Sequence, residues 1–157
     1  MAKVIMTCGR ICSGKSTYAQ KLKDQLGAVI LSIDELMLDI LGSDTGDRHD
    51  EYVRRTEQYL YKKAAEIVSA GTDVILDWGF WTRQGRDFAR EFYRSRGIAN
   101  EIHFITVDDK EWQRRVDKRN AEVAAGRSDA YFIDEGLARK FAHIFEVPDS
   151  SEIDLYV

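Results

Sequence analysis

Short apolar segments alternate with longer segments of helical period along the whole chain. The apolar segments are nearly continuous and rich in β-branched residues, and there are five of them: Val4–Thr7, Val29–Ile33, Val74–Leu76, Ile102–Val107 and Ile153–Val157. Continuous apolar runs of this kind are typical of strands that helices cover on both faces. The pattern therefore predicts a parallel sheet inside an α/β protein.

The segments between these runs have the period of amphipathic helices. The clearest are Ser16–Leu26 and Asp50–Ala70, each of which is followed by a glycine that would end a helix. Three further apolar stripes predict helices that end near Gly97, Gly126 and Pro148. Strands that alternate with helices predict a three-layer α/β sandwich, in which ligands bind at the carboxyl ends of the strands.

Length, charge and cysteine content limit the possible classes of protein. A chain of 157 residues is long enough for one domain, and we expect residues 1–157 to form a single domain. The formal net charge of −4 provides no basic excess for unspecific binding to nucleic acid, which is therefore a possible partner but not a favoured one. Cys8 and Cys12 lack the spacing of a zinc site and predict free thiols. No signal peptide or membrane span is predicted, and we expect a cytoplasmic protein.

The strongest local signal is the sequence GRICSGKS at residues 9–16, which satisfies the pattern GxxxxGK[ST]. It lies between a predicted strand and a predicted helix, where a glycine-rich loop can wrap a polyphosphate with its backbone N–H groups. Lys15 can reach the β and γ phosphates, and the Ser16 hydroxyl can hold Mg²⁺. The pattern therefore predicts binding of a nucleoside triphosphate. The predicted nucleotide-binding residues are Gly9, Cys12, Ser13, Gly14, Lys15, Ser16 and Thr17.

Two aspartates follow predicted strands and are candidates for the chemistry. Ser32 and Asp34 share one face of the second predicted strand, and Asp34 lies at its carboxyl end. Its carboxylate could accept the proton of an attacking hydroxyl or hold water on the metal, or it could simply cap the helix Glu35–Leu41. Asp77 closes the third strand, which is where P-loop proteins often place an acid near Mg²⁺.

Three aromatic residues and one irregular loop lie at the same expected edge of the sheet. Trp78, Phe80 and Trp81 follow Asp77 directly, and they either stack on a flat acceptor or pack beneath a loop. Residues 42–50 contain two glycines and three aspartates, and this composition predicts a mobile loop.

Basic residues are concentrated on the fourth predicted helix. Arg115 and Arg119 are four positions apart and therefore share one helix face. They could neutralise the charge of a transferring phosphoryl group, or they could belong to a solvated basic face. Spacing alone favours the solvated face.

Several stretches together resemble the small P-loop kinases of the nucleoside-kinase-like group, which are related to polynucleotide kinases, chloramphenicol phosphotransferase and zeta-toxin kinases. The stretches are GRICSGKST, ILSIDEL, VILDWGFWTRQGRD, WQRRVDKRNAE and FEVPDSSE. The resemblance implies a five-stranded parallel sheet of order 2-3-1-4-5, a short arginine-bearing lid, and phosphoryl transfer from ATP to a hydroxyl group with the help of Mg²⁺.

The same resemblance implies a role for particular residues. Lys15 and Ser16 would serve the phosphates and Mg²⁺, Asp34 would act as general base, Asp77 would close the metal site, and Arg119 together with Arg115 would be lid arginines. The acceptor could be a small alcohol, an antibiotic, a nucleoside or a nucleic-acid 5′ hydroxyl. The alternative to a kinase is a nucleotide-dependent switch or binding module that has no phosphoryl acceptor.

Overall fold

Five parallel strands form one sheet in the computed structural model, which describes residues 1–157. The spatial order of the strands is β2-β3-β1-β4-β5, which confirms the predicted order. The strands are β1 (Lys3–Cys8), β2 (Val29–Leu31), β3 (Val74–Leu76), β4 (Ala99–Phe104) and β5 (Leu155–Tyr156). The helices are α1 (Lys15–Leu26), α2 (Ile33–Leu41), α3 (His49–Ser69), α4 (Arg83–Arg94), α5 (Asp109–Ala124) and α6 (Glu135–Ile144). Short 3₁₀ turns occupy Gly46–Arg48 and Ser150–Glu152.

Helices cover both faces of the central strands, as the continuous apolar runs predicted. Val4 and Met6 of β1 pack on one face against α3, α4 and the neighbouring strands. Ile5, between them in sequence, points to the opposite face and packs with Ala19 of α1. Because successive strand side chains alternate between faces, an uninterrupted apolar run is needed where both faces are buried. The three-layer α/β sandwich is therefore confirmed.

Three strands, β2, β4 and β5, differ clearly from their predicted bounds. β2 ends at Leu31 because the next residue, Ser32, is the N-cap of α2. β4 lies about three residues earlier than predicted, at Ala99–Phe104. β5 contains only Leu155 and Tyr156, and both side chains are exposed. β5 is an edge strand that pairs only with β4, and the exposure of both side chains shows that its two faces are not buried as its apolar composition indicated.

The stretch 42–50 is more ordered in its backbone than its composition indicated. A 3₁₀ turn covers Gly46–Arg48, and α3 begins directly after it at His49. Thr45 Oγ1 and His49 Nδ1 form a hydrogen bond of 2.7 Å across this junction. No helix is long and apolar enough to cross a membrane.

Candidate functional site

The glycine-rich loop connects the end of β1 at Cys8 to the start of α1 at Lys15. Gly14, the residue before α1, has a φ of 100°, which favours glycine, and a Cβ there would lie 2.7 Å from Nη1 of Arg115. A Cβ on Gly9 would lie 2.7 Å from the carbonyl oxygen of Ile105. Glycine is therefore required at position 9 by the nearby backbone of Ile105 and at position 14 by the positive φ.

Lys15 extends along the inside of this loop. Its Nζ donates a hydrogen bond of 2.8 Å to the carbonyl oxygen of Arg10. Burial lowers the pKa of Lys15, and the negative charge of Asp77 opposes that shift. The first turn of α1 contains no acidic residue, so its unpaired amides and the positive end of the helix dipole favour an anion. The loop therefore has the features of a polyphosphate site.

The two arginines of α5 contact the loop directly. Arg115 Nη1 donates a hydrogen bond of 2.7 Å to the carbonyl oxygen of Ser13. Arg119 Nη1 lies 3.7 Å from the Cys12 sulfur, and its Nε donates a hydrogen bond to the carbonyl oxygen of Tyr131. The interpretation of these arginines as a merely solvated face is therefore wrong, because the chain folds α5 onto the loop.

The connection between α5 and α6 is held by a side chain of α5. Asn120 accepts a hydrogen bond of 2.7 Å from the backbone N–H of Ile133 and donates one of 2.6 Å to its carbonyl oxygen. These two bonds and the one from Arg119 to Tyr131 fix the connection beside the loop. Arg115 and Arg119, which the resemblance implies to be lid arginines, lie on α5 itself and not on this connection.

Asp34 lies in the first turn of α2 rather than on the second strand. The placement of Ser32 and Asp34 on one strand face is therefore wrong. The Ser32 side chain caps the helix by accepting a hydrogen bond from the N–H of Glu35. Because Ser32 is the cap, Asp34 is not needed for it, and its exposed carboxylate faces the same cleft as the loop.

Asp77 follows β3 and lies beside the loop residues. Burial raises the pKa of Asp77, whereas hydrogen bonding with Ser16 and the positive charge of Lys15 lower it. No group of three or more His, Cys, Asp or Glu side chains could hold a metal by itself. Mg²⁺ on a nucleotide commonly uses only one or two protein ligands in addition to phosphates and water. A hydroxyl and a carboxylate, from Ser16 and Asp77, fit such an ion.

One cleft of about 1520 Å³ joins all of these side chains. Its lining includes the loop, Asp34 and Asp77, the arginines of α5 and residues of α3 and α6. The cleft lies where the strands β1 and β3 end, as expected for a parallel sheet.

A family model described as an AAA domain matches residues 4–140. The chain belongs to this AAA-domain family. No curated protein matches the sequence. At the level of the fold, the solved structures described next confirm the resemblance to small P-loop kinases.

Solved structures of kinases share the fold of this AAA domain. The APS kinase of Mycobacterium tuberculosis, in complex with AMPPNP and APS, is 21% identical, with a TM-score of 0.70 over 99% of this chain and 87% of the other. A gluconokinase from Sinorhizobium meliloti 1021 is 16% identical, with a TM-score of 0.63 over 99% of this chain and 81% of the other. A chain of an RNA repair complex is 19% identical, with a TM-score of 0.72 over 91% of this chain and 43% of the other.

All three aromatic residues after Asp77 line the cleft, but they differ in how deeply they are buried. Phe80 is buried in the core and stacks on Trp78 at 5.0 Å between ring centroids. Trp81 packs edge-on against Phe141 of α6, with its indole over Gly79, where a Cβ would collide with it. Trp78 and Trp81 are only partly buried and also line the cleft. Core packing explains most of this cluster, while Trp78 and Trp81 remain available to a ligand.

Sequence reasoning missed three residues that the AAA domain places at or beneath the cleft. Glu57 of α3 lines the cleft, and Tyr131 lies near Asp34 in the connection before α6. Arg86 of α4 is fully buried and supports the backbone of Phe80. The one signal for Glu57 was its position one helical turn before Tyr61, at the border of the apolar stripe of α3. Nothing local distinguished Arg86 from the other arginines of α4.

The two cysteines are both free, and their surroundings predict different reactivity. Burial raises the pKa of Cys8 from 9.0 to about 11, so this thiol stays protonated and inaccessible in the folded protein at pH 8. We expect iodoacetamide to modify one thiol per folded chain at that pH, namely Cys12. Mass spectrometry of the intact protein measures this, with Cys12→Ser as the control that should remain unmodified. Saturating Mg·ATP should slow the reaction, and rapid labelling of two thiols would contradict the buried state of Cys8.

Proposed function

We propose that this protein is an ATP- and Mg²⁺-dependent kinase that transfers the γ-phosphoryl group to a hydroxyl acceptor. The observation that carries the proposal is the meeting of three elements in one cleft: the phosphate-binding loop, two arginines that contact that loop, and a free carboxylate at Asp34. A phosphoryl transferase needs a phosphate cradle, positive charge around the transferring group and a base for the hydroxyl proton.

In the proposed reaction, Asp34 accepts the proton of the acceptor hydroxyl as its oxygen attacks the γ phosphorus of ATP. The bond between that phosphorus and the bridging oxygen breaks, and ADP leaves with the electron pair. Lys15, Arg115 and Arg119 stabilise the negative charge on the phosphates during transfer. Mg²⁺, held by Ser16 and Asp77, would neutralise phosphate charge.

The remaining assignments of the proposal concern the nucleotide and the surroundings. Gly9, Cys12, Ser13, Gly14 and Thr17 would complete the contacts with the nucleotide. We further propose that residues 1–157 act as one domain, which the single sheet supports, and that the protein works in the cytoplasm, which its two free thiols support.

A switch that hydrolyses or holds ATP without an acceptor is the alternative. The size of the cleft supports the kinase, since its lining extends well beyond the phosphate loop to Asp50, Val53 and Glu57 of α3. A kinase has to bind two substrates side by side, and this cleft offers room for both.

The test is the dependence of ATP consumption on an added acceptor. We expect ADP formation and a phosphorylated product only when a suitable hydroxyl compound is present. Lys15→Ala should lower that rate by about 10²-fold, as expected for loss of one preorganised donor. Lys62→Ala, an exposed lysine of α3 outside the cleft, is the matched control and should keep the rate. Hydrolysis at the same rate with and without every acceptor would favour the switch instead.

A further inference from the structure

The cleft is divided by charge into two walls. Every lysine and arginine that lines it comes from the loop, α1, α5 or α6: Lys15, Lys21, Arg114, Arg115, Lys118, Arg119 and Lys140. The wall formed by residues 32–57 and 77–85 contributes no lysine or arginine. That wall carries five carboxylates instead: Asp34, Asp44, Asp50, Glu57 and Asp77. The single carboxylate of the basic wall, Glu111, is occupied by ion pairs with Arg114 and Arg115.

Two of the five carboxylates have a role in the proposed reaction, and the other three do not. Asp34 accepts the hydroxyl proton in the proposed reaction, and Asp77 would help to hold the metal. Asp44 accepts a hydrogen bond from the N–H of Gly46, but it pairs with no cation. Asp50 and Glu57 also have no cationic partner, because the ion pairs of α3 use Glu51 and Glu66. These three carboxylates of that wall therefore carry negative charge that is not paired with any cation of the chain.

Glu57 is the best placed of these three carboxylates for binding a ligand. It is half-buried, and the hydroxyl of buried Tyr61 donates a hydrogen bond of 3.0 Å to its Oε1. Burial raises the pKa of Glu57, and this hydrogen bond partly lowers it. A half-buried carboxylate without a counter-ion is costly, and a cation bound beside it removes that cost.

Trp78 is a second and independent feature of the same wall. Its ring packs edge-on against Tyr61, the residue that holds Glu57, at 5.6 Å between centroids. The ring also stacks on Phe80 at 5.0 Å between centroids, and it lines the cleft. An aromatic ring beside a carboxylate favours an ammonium group, because both the negative ring face and the carboxylate attract a cation.

We infer that the phosphoryl acceptor is a hydroxyl compound that carries a protonated amine, such as an amino sugar or an amino alcohol, with the amine held by Glu57 and Trp78. This inference rests on the proposed kinase function. In this arrangement, the amine of the acceptor lies toward α3 and its hydroxyl lies toward Asp34 and the glycine-rich loop. Anionic acceptors, including a nucleic-acid 5′ end with its phosphodiesters, meet five carboxylates on this wall and are disfavoured.

The first experiment identifies the charge of the acceptor without knowing its structure. A small-molecule extract of cells is separated at neutral pH into cation-exchanging, anion-exchanging and unbound fractions. Each fraction is incubated with the protein, Mg²⁺ and γ-labelled ATP, and a short 5′-hydroxyl oligonucleotide forms a fourth sample. We expect labelled product from the cationic fraction. Product only from the anionic fraction, the unbound fraction or the oligonucleotide overturns the inference and leaves the kinase standing. Product from no sample overturns both.

The second experiment tests Glu57 on matched acceptors, namely glucosamine, glucose and glucuronate, together with the active fraction. We expect a higher kcat/KM for glucosamine than for glucose, and the ratio should fall by about 10- to 100-fold in Glu57→Gln, since one charge-assisted contact is lost. Glu57→Lys should shift the preference toward glucuronate. Glu66→Gln, on the same helix but outside the cleft, is the control that should keep the ratio. An unchanged ratio in both Glu57 variants, or a wild-type preference for glucuronate, overturns the inference.

Discussion

Replacing Asp34 by Asn is expected to lower kcat for phosphoryl transfer by about 10²- to 10⁴-fold, the range of a lost general base. The amide keeps the size of the side chain but cannot take the hydroxyl proton. The helix should be unaffected, because Ser32 and not Asp34 provides its N-cap. Affinity for Mg·ATP should stay within a few-fold of the wild type, because Lys15 and the loop are unchanged. Steady-state kinetics and calorimetry with a non-hydrolysable ATP analogue measure the two quantities.

Asp39→Asn is the matched control for this substitution. Asp39 is also an exposed aspartate of α2, but it does not line the cleft. Its loss should leave both transfer and nucleotide binding unchanged. Transfer that survives in Asp34→Asn would show that another group accepts the proton. If Asp34→Asn instead needs a much higher Mg²⁺ concentration for transfer, and added Mg²⁺ restores the rate, then Asp34 contributes to metal binding.

Replacing Arg86 by Ala is expected to lower the free energy of unfolding by about 3–5 kcal/mol, the range for breaking a buried ion pair. Arg86 Nε lies 2.8 Å from Oε1 of Glu152, with the two side chains 1% and 7% exposed. Its Nη1 also donates hydrogen bonds to the carbonyl oxygens of Phe80 and Glu146, at 2.9 and 3.0 Å. Removal leaves a buried carboxylate, the buried carbonyl of Phe80 and the part-buried carbonyl of Glu146 without this partner. Urea denaturation followed by circular dichroism measures the loss.

Arg83→Ala is the control on the same helix. Arg83 forms an exposed ion pair with Asp149, which is worth at most about 1 kcal/mol. An equal loss of stability in Arg86→Ala and Arg83→Ala would contradict the view that the burial of the Arg86–Glu152 ion pair makes its loss costly. The double variant Arg86→Met with Glu152→Leu should lose less stability than Arg86→Ala, because no buried charge is left unpaired.

The pH dependence gives an additional check on the same ion pair. The hydrogen bond from Arg86 holds the pKa of Glu152 below its ordinary 4.5, so the pair stabilises the fold above that pH and loses its effect as the pH falls through the lower folded-state pKa. In Arg86→Ala, the unpaired carboxylate is easily protonated. The difference in stability between wild type and Arg86→Ala should therefore become smaller as the pH falls below 4.5.

The sequence predicted the fold and the position of the glycine-rich loop well. The order of the sheet and the layering of helices on it are confirmed, and the glycine-rich loop lies between β1 and α1 as its motif required. These features depend on short stretches of chain, in which apolar spacing and motif residues report the local structure directly. Errors occurred at strand ends and at the exposed edge strand β5, where burial depends on which neighbour covers the strand.

The roles of the arginines required the tertiary structure. Arg115 and Ser13 are 102 residues apart in sequence, and Arg86 and Glu152 are 66 apart. Helical spacing showed that Arg115 and Arg119 share a face, but it gave no information about what that face contacts. Arg86 resembled an ordinary surface arginine among its charged neighbours, and only the packing of α4 against the end of the chain buries it.

The sequence by itself determined the class of fold, the glycine-rich loop and the candidate residues Lys15, Ser16 and Asp77, because each is encoded within a few consecutive positions. Only the tertiary structure decided that α5 brings its arginines onto the loop, that Ser32 frees Asp34 from capping α2, and that Glu57 lines the same cleft as Asp34 and the loop. Charged groups and hydrogen-bond partners come together when segments that are distant in sequence pack against each other. Hydrophobic periodicity predicts which face of a segment is buried, but it does not predict which other segment covers that face.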